Sequence, residues 1–373
     1  MLHRIYIHNY GCLVNFDWNL TDIKSCLLIG DNGSGKSTVG RALRVLSQIA
    51  KGRNRIGELI KPEDTFLKNP ELPVRFEIEV SFQGKRYQYS LALEFPEGFY
   101  ELRVVEEMLR VDGSILFSRE RARVWLGRDK GKNAVPAFSL DWHQAALPMI
   151  QPRSEADPLQ VFRDFLSSML LLAPLPPLMK GTSEGKTLSP EYNLADYGRW
   201  FSGVLAQYPG AYLSVDRFAK TVMPSFKGLR NIPVGPKASS LIVQFENERG
   251  QFSLPFEELS DGEKCFLACA LVIAANEYYG PLFCFWDEPD NYLSVAEVGY
   301  VVMELRRAFE SRGQLVLTSH NPESISQFSH NNTFHLYRRS RLEPTNIRCV
   351  KDLEEKNVGR DFITSYIRGD LGE

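Results

Sequence analysis

The stretch Gly30-Asp31-Asn32-Gly33-Ser34-Gly35-Lys36-Ser37-Thr38 has the residue types and spacing to hold a polyphosphate. The pattern G-x-x-x-x-G-K-[ST] is that of a phosphate-binding loop. Its glycines let successive backbone N–H groups point inward at an anion. Lys36 adds a point charge for the outer phosphates, and Ser37 offers a hydroxyl to Mg²⁺. The apolar run Cys26-Leu27-Leu28-Ile29 before the loop reads as a buried strand. The segment after it predicts a helix from Thr38 to Ser47, whose N-terminal dipole favours the same anion.

Four further groups of residues follow in a fixed order. Leu259-Ser260-Asp261-Gly262-Glu263-Lys264 opens a predicted helix, where a Ser side chain and a Gly amide make an anion site. Taken alone it reads equally as a capping sequence. The run Leu282 to Pro289, LFCFWDEP, is an apolar strand ending in two carboxylates. That end is the sheet edge where α/β proteins bind ligands. Asp287 can hold Mg²⁺ through water, and Glu288 can orient and deprotonate an attacking water. Asp290-Asn291-Tyr292-Leu293-Ser294 lies just beyond them. A further strand then delivers His320, within Leu317-Thr318-Ser319-His320-Asn321-Pro322, to the same edge. An imidazole there can hydrogen-bond a γ-phosphate or the water.

These groups need strands and helices to carry them. Residues 1–29 alternate apolar and polar positions and read as two short strands and then the buried one. Val74–Phe82 and Arg86–Phe95 flank the turn Gln83-Gly84-Lys85, and Asp112-Gly113 joins Glu101–Val111 to Ser114–Ser118. Both are hairpin signals. Leu159–Leu172 has helical periodicity, and Pro174 to Pro190 reads as an exposed linker. Two short helices (Tyr192–Tyr208, Leu213–Pro224) and a hairpin (Leu241–Phe245, Phe252–Pro255) are expected next. From Glu263 the pattern is helix (Lys264–Tyr279), strand (Leu282–Trp286), helix (Val295–Ser311), strand (Gln314–Thr318).

The ordered set resembles the ATP-binding-cassette ATPase head of the SMC, RecF and OLD proteins, of the AAA_15/AAA_21-like kind. The resemblance covers roughly residues 1–60 and 255–335. It implies an α/β fold, a P-loop ABC-ATPase head with a mixed or parallel core sheet, an N-terminal antiparallel sheet lobe and a small helical lobe. Three consecutive segments are expected. Residues 1–150 are an N-terminal ATPase lobe with the loop and the inserted sheet, 151–255 a helical insertion and linker, and 256–373 a C-terminal ATPase lobe. The implied cofactors are ATP and Mg²⁺. The implied site is the loop from Gly30 to Thr38 with Lys36, Glu288 and His320 in catalysis and Ser37 and Asp287 at the metal. Ser260 and Gly262 would act on ATP held by a second copy, in a homodimer or higher homo-oligomer. The family also has a Mg²⁺-sensing Gln, for which Gln144 is the candidate and Gln151 the rival. Its arginine after the first helix is Arg53 or Arg55. Asp261 stands where transporters usually have Gly.

The implied activity is ATP hydrolysis that drives a switch in DNA-associated processes. About 220 residues separate the loop from the signature, and they carry no long heptad array. Residues 321–373 are too few for a toprim nuclease domain. Such a head resembles standalone ATPases that serve a separate effector, often a nuclease, in bacterial anti-phage defence. A RecF-like repair ATPase, a transporter's ATP-binding subunit and an assembly or chaperone subunit are the alternatives.

Bulk properties narrow the partners. A net charge of -2 gives no global attraction to nucleic acid or acidic membranes. DNA contact needs a local patch. Arg119, Arg121 and Arg123 alternate, so on one strand they would share a face and could track phosphates beside Trp125. Arg128, Lys130 and Lys132 extend this stretch, and Arg338, Arg339 and Arg341 form a smaller patch. A charged edge strand explains the alternation equally well. The six cysteines form no C-x-x-C pair. No apolar run reaches membrane-spanning length, so no membrane contact and a reduced, cytoplasmic compartment are expected.

Overall fold

Residues 1–96, 98, 101–127 and 137–354 are described by the computed structural model. The chain divides into two interleaved units. One holds Met1–Ile23, Gly30–Met169 and Phe334–Arg348; the other holds Lys24–Ile29, Leu170–Thr333 and the chain from Cys349.

The first unit is built on β1 (Leu2–His8), β2 (Phe16–Asn19), β4 (Val74–Phe82), β5 (Lys85–Glu94), β6 (Arg103–Val111), β7 (Ser114–Glu120), β8 (Arg123–Leu126) and β9 (Phe138–Ser139). They form one antiparallel sheet in the order β2-β1-β4-β5-β6-β7-β8-β9. Alternation sets its faces: in β4, Val74, Phe76, Ile78 and Val80 are buried, with more exposed residues between them. Both expected tight hairpins are present. Gln83-Gly84 (φ 49° and 76°) and Asp112-Gly113 (φ 49° and 78°) take the left-handed pair of conformations that matches strand twist. The unit also carries α1 (Lys36–Ala50), α2 (Ile56–Leu59), α3 (Pro158–Ser167), and most of β17 (Thr333–Tyr337) and β18 (Asn346–Cys349). Phe162 of α3 stacks on Tyr87 of β5 at 5.7 Å and fixes that helix against the sheet.

The second unit centres on β3 (Ser25–Ile29), β10 (Leu170–Leu172), β15 (Phe283–Asp287) and β16 (Gln314–Thr318). They lie in the order β10-β15-β16-β3, each parallel to the next. Every residue of β3, β10 and β16 is buried, in keeping with their largely apolar sequences. α6 (Asp261–Tyr279) and α7 (Val295–Glu310) pack around this sheet with α4 (Tyr197–Gln207) and α5 (Ala211–Val222). β11 (Ser183–Glu184), β12 (Phe226–Pro233), β13 (Ala238–Asn247) and β14 (Gly250–Pro255) make a small antiparallel sheet. α8 (Pro322–Ser326) and α9 (Val350–Glu354) complete the unit. No helix among the described residues is long and apolar enough to cross a membrane.

Two expectations are corrected. The helix read over Leu159–Leu172 stops at Ser167, and Leu170–Leu172 is a strand beside β15. A three-leucine run buried on every face suits an inner strand as well as a helix. The Pro174–Pro190 segment is not an exposed linker. Pro176, Met179 and Ser183 are buried, and Gly181 N–H donates to Glu257 Oε1 at 2.8 Å. Its backbone hydrogen bonds dock it, and composition does not show those.

Candidate functional site

The phosphate loop has the backbone its glycines foretold. Gly30, Gly33 and Gly35 have φ of 149°, 85° and 110°. A Cβ on Gly30 would lie 2.2 Å from the Leu336 carbonyl oxygen, whereas one on Gly33 would meet nothing within 4 Å. The loop is thus backed at its start and open at its tip. Gly35 is the N-cap of α1, which begins at Lys36, two residues before the expected start. Lys36 is buried at 5% exposure, and its ammonium donates to the Gly30 carbonyl at 2.6 Å and to that of Asp31 at 3.4 Å. Ser37 is exposed on the first turn, as are Asp31 and Asn32 in the loop. The Ser34 hydroxyl is buried with no hydrogen-bond partner in the protein. Thr38 faces inward, within 3.1 Å of Arg41 Nη2.

Two supports of this loop were not read from sequence. The Thr345 hydroxyl donates to the Ser34 carbonyl at 2.7 Å, and Thr345 N–H donates to the Cys12 carbonyl at 2.8 Å. Arg338 Nη1 donates to the Gly33 carbonyl at 3.2 Å. Both residues lie more than 300 positions from the loop, so no local signal could reveal them.

In the second unit the strand ends line up. Leu28 of β3 is in register with Thr318 of β16, and Thr318 with Asp287 of β15. The chain leaves β3 one residue later, at Ile29, to enter the phosphate loop. Asp287 therefore ends β15, with Glu288 directly after it, at the same sheet edge as the end of β3. Thr318, fully buried, joins the carboxylates: its hydroxyl donates to Asp287 Oδ1 at 2.6 Å and accepts from Glu288 N–H at 2.9 Å. Glu288 has φ of 50°, a left-handed conformation that non-glycine residues seldom adopt. Its Oε2 accepts from Asn291 Nδ2 at 2.6 Å, and its Oε1 lies 3.6 Å from His320 Nδ1. His320 is half-exposed at the end of its strand, beside Glu288 as the sequence suggested. Asp290 is buried and accepts from the hydroxyls of Ser319 and Ser324. It ties the carboxylate turn to the segment bearing His320.

The capping reading of LSDGEK is seen directly. Ser260 is the N-cap of α6 in a capping box: its Oγ accepts from Glu263 N–H at 3.3 Å, and Glu263 Oε2 accepts from Ser260 N–H at 2.8 Å. Asp261 and Gly262 N–H sit in the first helical turn, where no intrahelical acceptor exists. They keep the anion-binding character of a helix start. A Cβ on Gly262 would lie 3.2 Å from the Tyr292 carbonyl oxygen, so this glycine lets the turn after the carboxylates pack closely.

The arginine row does not exist as a row. Arg119 is the penultimate residue of β7, Arg121 sits in the turn with φ of 50°, and Arg123 begins β8 after the chain has reversed. Arg119 is buried, so it cannot meet DNA phosphates. It pairs with buried Glu107 at 3.7 Å and donates to the carbonyls of Arg121 (2.5 Å), Asp141 (2.7 Å) and Gln144. Glu107 in turn accepts from Ala146 N–H (2.6 Å), Leu147 N–H (2.8 Å) and the Tyr89 hydroxyl (2.9 Å). Burial pushes the Glu107 carboxyl above its ordinary range against these donors. The pair holds the segment 141–147, and with it Gln144, against the sheet. On its other side Gln144 bridges Arg55, and Ala145 N–H donates to the Asn54 carbonyl at 2.7 Å. Gln151 is exposed. Arg55 is occupied by Glu101 at 2.6 Å, while Arg53 is exposed. Arg128, Lys130 and Lys132 lie outside the described residues.

The donor chemistry fits Mg²⁺ and a nucleoside triphosphate. Ser37 and Asp287 offer oxygen ligands only. No three His, Cys, Asp or Glu side chains converge among the described residues. Ser37 and Asp287, each in its own unit, are oxygen donors of the kind that hold an ion which keeps much of its water. The open, positive-φ tip and the orphaned Ser34 hydroxyl suit a polyphosphate at the loop.

Comparison with known proteins agrees with this geometry. The fold is similar to a crystal structure of an SMC head bound to the C-terminal winged-helix domain of ScpA (TM-score 0.58, 15% identity, 95% of this chain and 99% of that one). It is also similar to the SMC head with an extended coiled coil bound to the C-terminal domain of ScpA, derived from Pyrococcus furiosus (TM-score 0.54, 12% identity, 95% of this chain and 98% of that one). A stretch of 78 residues is 36% identical to the chromosome partition protein Smc of Chlorobaculum tepidum, covering 21% of this chain and 6% of that protein. The chain thus matches only a small part of that curated relative's length. Residues 26–133 and 180–326, more than half of the chain, match the AAA_21 model, described as an AAA domain, putative AbiEii toxin, type IV TA system. With an SMC-head-like α/β fold and the phosphate loop inside the matched region, the chain belongs to the AAA_21 family of ATPase domains.

Proposed function

We propose that this protein binds and hydrolyses Mg·ATP and that two copies close on two nucleotides as a switch. The observation that carries the reading is the register of Leu28, Thr318 and Asp287, which sets the carboxylates at the same sheet edge as the end of β3, the strand that precedes the phosphate loop. The loop amides, Lys36 and the start of α1 hold the phosphates, with Thr38 inside the loop. Ser37 and Asp287 hold Mg²⁺, with Gln144 as its sensor. When bound there, Mg²⁺ would supply charge neutralisation for the phosphate being transferred. Glu288, shaped by its left-handed backbone and by Asn291, takes the proton of the attacking water. His320 hydrogen-bonds the γ-phosphate or that water. Ser260 and Gly262 of a second copy complete the site through the N-terminus of α6.

The matched family description names a toxin of a toxin–antitoxin system. A two-component toxin–antitoxin system accords with a head that works with a separate partner. The role we propose for this chain is bacterial anti-phage defence with a separate effector, such as a nuclease, ahead of repair or transport. The SMC heads in the similar structures bind ScpA domains, which supports a protein partner for this head too.

Two variants test the chemistry. Lys36→Ala should abolish tight ATP binding in equilibrium titration. Glu288→Gln should keep ATP, slow its hydrolysis by about 100-fold or more, and accumulate a dimer in light scattering. Parent-like turnover by the Glu288→Gln protein would remove the general base from this account.

A further inference from the structure

The basic turn after β17 read from sequence as a small nucleic-acid patch, but its first arginine is tied to the phosphate loop. Arg338 spends its hydrogen bonds on three backbone carbonyls: Nε donates to Glu343 at 2.9 Å, Nη2 to Arg341 at 2.7 Å, and Nη1 to Gly33 at 3.2 Å. All three acceptors are neutral, so the full positive charge stays at the loop tip. A guanidinium has five N–H donors in a fixed fork, so two remain for another acceptor. The tip beside it is open, since a Cβ on Gly33 would meet nothing within 4 Å. Arg338 itself is only half-buried. Lys36, by contrast, is deep in the loop and already turned onto the Gly30 carbonyl.

We infer that Arg338 is a second cation of the nucleotide site, contacting the polyphosphate held by the loop to which it is tethered. The inference rests on the proposed ATP reading and extends it beyond the loop's own residues. A free polyphosphate is preferred over a nucleic-acid backbone because the guanidinium is fixed by the loop tip itself. Neighbouring Arg339 and Arg341 are exposed and add to the local potential that draws an anion in.

The test compares the parent, Arg338→Gln and Arg338→Lys by equilibrium titration with Mg·ATP at low and moderate salt. Thermal midpoints serve as folding controls. Arg338→Gln should weaken ATP binding about tenfold, with a shallower salt dependence, and Arg338→Lys should recover most of that loss. Parent-like affinity in Arg338→Gln would overturn the inference. So would equal losses in both variants with unchanged salt dependence, which would make Arg338 a brace of the loop only. Retained ATP affinity together with lost retention of a DNA duplex would also overturn it, assigning the charge to nucleic acid. If the parent binds no ATP at any salt, the ATP reading fails first, and that outcome is distinct from the others.

Discussion

One hydroxyl decides the geometry of the carboxylate pair. Thr318 has no exposure and serves both neighbours at once, accepting from Glu288 N–H and donating to Asp287. Valine has nearly the same shape but neither function. Thr318→Val should therefore remove both hydrogen bonds, at about 1–3 kcal/mol in all. Glu288 already sits at positive φ, so the lost tether frees it to leave that conformation. The expected outcome is ATP turnover lowered at least about tenfold with little change in ATP affinity, because the phosphate loop is untouched. Thr318→Ser should restore turnover. A Thr318→Val protein with parent kinetics would mean that the strand fixes Glu288 without the hydroxyl.

At the scale of elements, the buried Glu107–Arg119 pair joins β6 and β7 to the segment that carries Gln144. Glu107→Leu would strand a buried guanidinium and two amides, at a cost of about 3–5 kcal/mol. Urea unfolding should show this as a lower midpoint with the slope retained. Adding Arg119→Met should return part of the loss, since the uncompensated charge goes with it. Equal stability of Glu107→Leu and parent would mean that the three carbonyls around Arg119 suffice. This pair also shows what a sequence can and cannot disclose. The β4–β5 and β6–β7 hairpins were legible because Gln83-Gly84 and Asp112-Gly113 are local turn signals. β16 was legible to the residue because an apolar core, Leu315-Val316-Leu317, follows Gly313 and precedes the polar Thr318-Ser319. The arginine alternation misled because Arg121 turns the chain at φ of 50°, and alternation has meaning only along an unbroken strand. Leu170–Leu172 misled because three buried leucines carry no period. The loop, Asp287, Glu288 and His320 were readable as motifs. Thr318, Thr345 and Arg338 were not, because their roles arise from strand register or from contacts across 300 residues of chain.

For the whole molecule, the proposed closure makes each ATP site a joint product of two copies, one lending Lys36 and the other Ser260. The helix cap complicates a direct test, because removing Ser260 also costs α6 about 1 kcal/mol. Complementation avoids this. Lys36→Ala retains an intact signature, and Ser260→Arg retains an intact loop while placing bulk and charge where a partner's phosphate would sit. Each alone should hydrolyse almost no ATP. A heterodimer of the two contains one site with Lys36 and Ser260 both present, and one site lacking both. In a random equimolar mixture under two-fold symmetry, about a quarter of the parental number of sites is rebuilt. Turnover should therefore reappear on mixing and fall again on dilution below the dimer's dissociation constant. Thermal midpoints of both variants check that the fold survives, including after the loss of the Ser260 cap. If Ser260→Arg alone hydrolyses ATP like the parent, independent of protein concentration, each copy completes its own site and the capping box is the whole role of Ser260.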